Sequence, residues 1–301
     1  MKRRMGLCVL PAILTLTLGF AAAPLTAAEV VVEKDIVYGT GGGKDLKLDL
    51  ARPEQSHGLL PAIVYIHGGG WQGGSRDGYH KDIQEAAKRG YVAVTVSYRL
   101  TDPDEHGKAR QPFPAQVEDV KCAVRWLRAN AEKYHIDPNR IGATGGSAGG
   151  HLSLMLGVLG DSQKFEGGGG HPGVSSRVQA VVNYFGPTDL THLYSSSKRV
   201  AGILDVLLNG SPEQVGASYQ EASPVTYVSK DTPPTLTLHG TADPIVPVDQ
   251  ATEFDAAMKK AGASHTLTLM EGEGHGFKKE ADRKAREATF KFFDEHLKNK
   301  S

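Results

Sequence analysis

The sequence predicts an α/β fold: a mostly parallel, eight-stranded sheet with helices on both faces. Continuous apolar runs such as Pro61-Ala62-Ile63-Val64-Tyr65-Ile66 and Tyr91-Val92-Ala93-Val94-Thr95-Val96 have strand length and no polar face, as strands covered on both sides require. Segments with apolar residues at helical spacing alternate with these runs, and strand, crossover helix, strand is the order that builds a parallel sheet. A chain of 301 residues can bury the core such a sheet needs.

In order, Val30 to Pro53 reads as two strands joined at Gly41-Gly42-Gly43, with Leu46, Leu48 and Leu50 alternating. The Pro61 to Ile66 strand ends in His67-Gly68-Gly69-Gly70-Trp71. Ile83, Ala86 and Ala87 mark a helix stopped at Gly90, and the Tyr91 to Val96 strand follows. Val117, Val120, Val124 and Leu127 recur at helical spacing, and Cys122 shares that helix with Trp126 as a core thiol. A strand then leads into Gly145-Gly146-Ser147-Ala148-Gly149, after which Leu152, Leu154, Met155 and Leu156 begin a helix. Strands over Val178 to Tyr184, Thr235 to Leu238 and Thr266 to Met270 complete the sheet, with helices through Ala251 to Ala261 and Ala285 to Leu297. Phe165 to Ser176 is glycine-rich loop. Leu190 to Val228 is a partly helical excursion whose position at the carboxyl edge makes it a short cap over the pocket.

Residues 1–28 have the pattern of an export signal: basic Lys2, Arg3 and Arg4, an apolar middle from Leu7 to Phe20, and small residues at Thr26-Ala27-Ala28. Residues 29–301 then form the catalytic domain, placed outside the cytoplasm, secreted or periplasmic, with no stable membrane insertion after cleavage. The chain of 301 without its first 28 keeps 273 residues; it loses three of 34 basic residues and none of 34 acidic ones, so its formal charge is −3. That charge points to neither nucleic acid nor an anionic membrane as partner. Cys122 is then the one remaining cysteine, so no intrachain disulfide forms.

Ser147 stands where a strand gives way to a helix, on a turn of small residues. Such a turn pushes the serine above the sheet edge and places it beside the free N–H groups of a helix start. Gly-rich turns of this kind also bind phosphate. The later strand ends favour a nucleophile, because serine needs a base and the base an orienting acid. Asp243, in His239-Gly240-Thr241-Ala242-Asp243-Pro244, and His275, in Gly274-His275-Gly276, each follow a strand. Asp189 is the rival acid, and Asp249 reads as a cap of the next helix. His151 opens the helix behind Ser147 and faces away, and His239 packs near its strand end. The bare backbone of His67-Gly68-Gly69-Gly70 can offer N–H groups to a developing oxyanion without side chains obstructing substrate.

This set, in the chain order Ser147, Asp243, His275, resembles the α/β-hydrolase esterases. The stretches His67 to Trp71, Ser97-Tyr98-Arg99-Leu100, Gly145 to Leu152 and Ala222-Ser223-Pro224 resemble secreted feruloyl and acetyl-xylan esterase-like enzymes. The likeness to hormone-sensitive-lipase-like esterases is smaller, since those usually have Asp where Gly146 stands. The resemblance implies Ser147 as nucleophile, Asp243 and His275 as its partners, and the N–H groups of Gly69, Gly70 and Ala148 as the oxyanion hole. It implies a small-molecule or polysaccharide-linked ester substrate. Hydrolysis of this kind needs no metal or organic cofactor. A small-amide hydrolase or peptidase of the same fold, formamidase-like, is the alternative. Trp71 and Tyr98 are expected in the substrate pocket, with the apolar patch Ile203, Leu204, Val206, Leu207 and Leu208 as its wall.

Overall fold

A two-residue turn at Gly42 and Gly43, with φ of 57° and 75°, joins β1 (Val30–Gly41) to β2 (Lys44–Pro53). Paired positive φ values match the right-handed twist of hairpin strands, and glycine reaches them without strain. The structure is a computed structural model describing residues 29–298 except 57 and 161. The expected export signal, 1–28, lies outside the described residues.

Next to β2, in antiparallel pairing, lies β4 (Val92–Val96). All further pairings are parallel, through β3 (Leu60–Ile66), β5 (Ile136–Gly146), β6 (Ala180–Tyr184), β7 (Thr235–Gly240) and β8 (His265–Met270). The spatial order is β1-β2-β4-β3-β5-β6-β7-β8, the eight-stranded sheet expected. On β3, Ala62, Val64 and Ile66 enter one apolar core and Ile63 and Tyr65 the other. One core is closed by α1 (His80–Lys88) and α8 (Lys279–Phe293). The opposite one is closed by α2 (Ala115–Ala129), α3 (Ala148–Leu159) and α7 (Asp249–Ala261). Cys122 is a buried free thiol in the second core, and burial pushes its pKa up.

The excursion between β6 and β7 is more helical than its mixed sequence suggests. It holds α4 (Leu190–Ser196), α5 (Lys198–Leu208) and α6 (Pro212–Glu221). Local signals account for them. The Asp189 carboxylate accepts from the His192 N–H at the start of α4, Asn209 ends α5 in the left-handed conformation, and Ser211 with Gln214 forms a capping box before α6. Among the described residues no helix is long and apolar enough to cross a membrane.

Candidate active site

Ser147 sits between β5 and α3 with φ 56° and ψ −123°, a conformation that a residue with a side chain holds only under constraint. Two close approaches supply it. A Cβ on Gly145 would stand 2.3 Å from the Ile66 carbonyl oxygen, and one on Gly149 would stand 1.9 Å from it. Strand β3 therefore packs on the turn only because both positions are glycine. The Ser147 N–H donates to the Tyr184 carbonyl at 2.9 Å, which pins the turn to β6 as well.

The loops after β7 and β8 bring Asp243 and His275 to this serine. His275 Nε2 lies 2.9 Å from Ser147 Oγ, and Nδ1 lies 2.8 Å from Asp243 Oδ2. The other Asp243 oxygen accepts from the N–H groups of Ile245 and Val246 at 2.8 and 3.0 Å. Burial by itself raises the Asp243 pKa, but the His275 ring and these two N–H groups outweigh it and hold the carboxyl below its usual range. An ionised Asp243 keeps the proton on Nδ1 and leaves Nε2 free to accept from serine. His239 braces the same loop, its Nε2 donating to the Val246 carbonyl at 2.8 Å, and burial lowers its pKa.

Asp189, the rival acid, is committed to the N-cap of α4. Asp249 is the first residue of α7 rather than its cap, and its carboxylate lies 3.6 Å from His192 Nε2. Asp243 is thus the carboxylate that the fold brings to His275.

The glycine loop closes on itself, with Gln72 and Gly73 donating to the Gly69 carbonyl at 3.1 and 3.0 Å. Gly69 and Gly70 have φ of 117° and 59°. A Cβ on Gly68 would stand 2.7 Å from the Gly146 carbonyl oxygen and 3.4 Å from Ser147 Cβ, so the loop lies directly against Ser147. Among the described residues the N–H groups of Gly69, Gly70 and Ala148 donate to no backbone carbonyl. They remain available to an oxyanion.

Trp71 lines the pocket as expected. Its indole N–H donates to His151 Nδ1 at 3.3 Å, and His151 Nε2 donates to the Ala222 carbonyl at 2.7 Å. His151 therefore ties the pocket wall to the cap. Burial pushes its pKa down to about 4, with the Ala222 carbonyl opposing. Tyr98 corrects an expectation: its ring stacks on His67 at 4.3 Å, its hydroxyl donates to the His67 carbonyl at 2.9 Å, and it stands behind the glycine loop rather than in the pocket wall. The apolar patch is also corrected, because Leu204, Leu207 and Leu208 turn into the core and only Ile203 of the five reaches the pocket. Leu193 of α4 joins it, with Arg199 and Val200 of α5, whose part in the wall is set by the rotation of that helix, which helical spacing leaves open between two faces. The pocket holds about 480 Å³.

Away from the triad, Asp49, Asp77 and His80 place three ligand-type atoms close together. Arg76 Nε already lies 3.1 Å from Asp49 and supplies the charge that an ion would.

The BD-FAE family matches residues 48–258, a span that includes the glycine loop, Ser147 and Asp243 and ends before His275. The probable carboxylic ester hydrolase LipM of Mycobacterium tuberculosis is 35% identical over 225 residues, 73% of this chain and 50% of LipM. The chain spans about half the length of the curated relatives LipM and LipQ. A solved truncated carbohydrate esterase from gut microbiota superposes with a TM-score of 0.76 at 28% identity, covering 91% of this chain and 98% of the other. The apo form of Thermogutta terrifontis esterase 2 gives 0.73 at 30% identity, covering 91% and 96%. Fold and architecture are those of the α/β-hydrolase esterases.

Proposed function

Because the chain belongs to the BD-FAE family, we propose that it is a serine carboxylesterase acting on short-chain or aryl esters through an acyl-enzyme. The observation that carries this reading is the continuous Asp243, His275, Ser147 relay, with contacts of 2.8 and 2.9 Å. In the first step His275 Nε2 takes the Oγ proton while Oγ bonds to the ester carbonyl carbon. The carbonyl oxygen becomes anionic beside the N–H groups of Gly69, Gly70 and Ala148. Collapse breaks the carbon–oxygen bond to the alcohol, which leaves with the proton from His275. Water, deprotonated by the same nitrogen, then attacks the acyl carbon; collapse breaks the bond from that carbon to Oγ, His275 returns the proton to Oγ, and the carboxylic acid leaves. Asp243 stays ionised and stabilises the imidazolium in both steps.

The natural substrate is proposed to be an acetyl or feruloyl ester of a plant polysaccharide, a reading supported by the likeness to the gut carbohydrate esterase. Residues 1–28 are proposed to direct export, and 29–301 to act as one catalytic domain; protein from the native host should begin near Glu29, and a sequence still starting at Met1 would contradict export. Each methylene gains about 0.8 kcal/mol only where there is wall to receive it, and the cap side of the pocket offers just Leu193, Val200 and Ile203. On p-nitrophenyl esters kcat/KM should therefore peak between acetyl and butyryl and fall by octanoyl. A panel that adds methyl ferulate, acetyl-xylan and p-nitroacetanilide tests the reading, and amide turnover matching ester turnover would overturn it.

A further inference from the structure

The cap side of the catalytic pocket carries a single charged side chain. Leu193, Val200 and Ile203 are apolar, and Arg199 stands among them on the first turn of α5. No aspartate or glutamate lines this pocket, and the other basic group there, His275, is committed to Ser147 and Asp243. Arg199 is exposed and, among the described residues, has no hydrogen bond or ion pair. Every other described arginine has one, including those on the open surface such as Arg110 with Asp102 and Arg283 with Glu287.

The position of Arg199 is unfavourable for the helix itself. Ser197 at the N-cap makes no side-chain cap bond and the first turn of α5 holds no acidic residue. Lys198 and Arg199 thus place cations at the end of the helix where its dipole disfavours them. Arg199 and Ile203 are four residues apart, so they share a face of α5, separated by about 6 Å of rise along its axis. Ile203 covers the glycine loop, since a Cβ on Gly70 would meet Ile203 Cγ2 at 3.4 Å. Arg199 therefore stands one helical turn from the residue over the oxyanion loop, at the rim of the same pocket. A guanidinium presents its N–H donors in a planar fork that matches a carboxylate. With no carboxylate of its own chain on it, that fork is open to one on the substrate.

We propose that Arg199 is a specificity-determining residue that selects esters bearing a carboxylate, pairing with that group at the rim while the ester carbonyl lies at Ser147. The proposal rests on the esterase reading and narrows its substrate class. On the acyl side such a group is the far end of a dicarboxylic acid; on the alcohol side it is the carboxylate of an acidic sugar.

The test measures kcat/KM at neutral pH for two pairs of esters, each an anion beside a neutral counterpart of similar size. Monoethyl succinate is paired with ethyl butyrate, read by ethanol release, and 4-acetoxybenzoate with 4-acetoxybenzamide, read by acetate release. Both pairs are run on the unmodified chain and on Arg199→Lys, Arg199→Gln and Arg199→Glu, exposed replacements that break no contact within the chain. In Arg199→Gln the ratio of anionic to neutral ester should fall roughly three- to tenfold, between the worth of an exposed ion pair and that of a charged hydrogen bond. It should fall further in Arg199→Glu, whose charge repels the substrate, and less in Arg199→Lys, which keeps the charge without the fork. A fall confined to the succinate pair puts the carboxylate on the acyl side, and one confined to the benzoate pair puts it on the alcohol side. Unchanged ratios for both pairs in Arg199→Gln and Arg199→Glu would overturn the proposal. An unmodified chain that hydrolyses neither neutral ester would instead overturn the esterase reading, and the proposal with it.

Discussion

At the Ser147 turn backbone presses on backbone, while across the same pocket the cap is tied down largely by side chains. Gly145 and Gly149 lie so close to the Ile66 carbonyl that a Cβ would come within 2.3 and 1.9 Å of it. The cap instead depends on Ser223 Oγ, which accepts from the Leu190 N–H at 2.9 Å and donates to the Tyr219 carbonyl at 2.7 Å. It also depends on Gln250 Oε1, which accepts from the N–H groups of Thr188 and Asp189, both at 2.9 Å. Backbone contact fixes atoms to a fraction of an ångström, which the proposed acyl transfer needs. Side-chain ties tolerate replacement, which suits a wall that sets substrate choice.

The largest contrast between the two regions is in rate. Ser147→Ala should lower kcat by up to about 10⁶ with the circular dichroism spectrum unchanged, and near-normal turnover in the folded variant would remove Ser147 from the mechanism. Asp243→Asn should cost roughly 10⁴ in kcat through the wrong imidazole tautomer. On the cap side, Asp189→Ala should keep kcat within a few-fold and lose about 1 kcal/mol of stability with the helix cap. The reverse ranking would make Asp189 the orienting acid.

Stability should follow the same division. Gly149→Ala forces a methyl group into the Ile66 carbonyl and should cost more than about 4 kcal/mol in urea unfolding, or prevent folding. His151 couples the regions and adds a pH dependence. Its folded pKa is about 4 against an ordinary 6.5, so between those values the unfolded chain binds more protons. Its contribution is therefore complete above pH 6.5 and declines by about 3 kcal/mol as the pH falls to 4. His67, His239 and His265 are shifted in the same direction and steepen the decline. In His151→Asn the slope of unfolding free energy against pH should drop by up to about 1.4 kcal/mol per unit, and an unchanged slope would show that this ring does not titrate on unfolding. The smallest effect belongs to the cap. Gly202 lies inside α5 with nothing within 4 Å of an added Cβ, so Gly202→Ala should stabilise the protein by roughly 0.5–1 kcal/mol.

What the sequence reveals follows the same line. Buried parallel strands declare themselves by composition, and the triad residues sit one turn beyond strand ends, where topology leaves a single edge for them to meet. Glycines that permit close approach are legible for the same reason. Residues whose role depends on how an element is rotated are not. Nothing in Ser97-Tyr98-Arg99-Leu100 says that Tyr98 supports the His67 carbonyl. The Ile203 to Leu208 run shows an apolar face without showing which member turns to the pocket.

Reaction with a fluorophosphonate, followed by peptide mass mapping, reports whether Ser147 is activated, because only a serine activated by its neighbours attacks phosphorus at neutral pH. One adduct per chain is expected, on Ser147, which Ser147→Ala abolishes and Asp243→Asn slows sharply. A folded chain that takes up no label, or takes it up on a different residue, would contradict it.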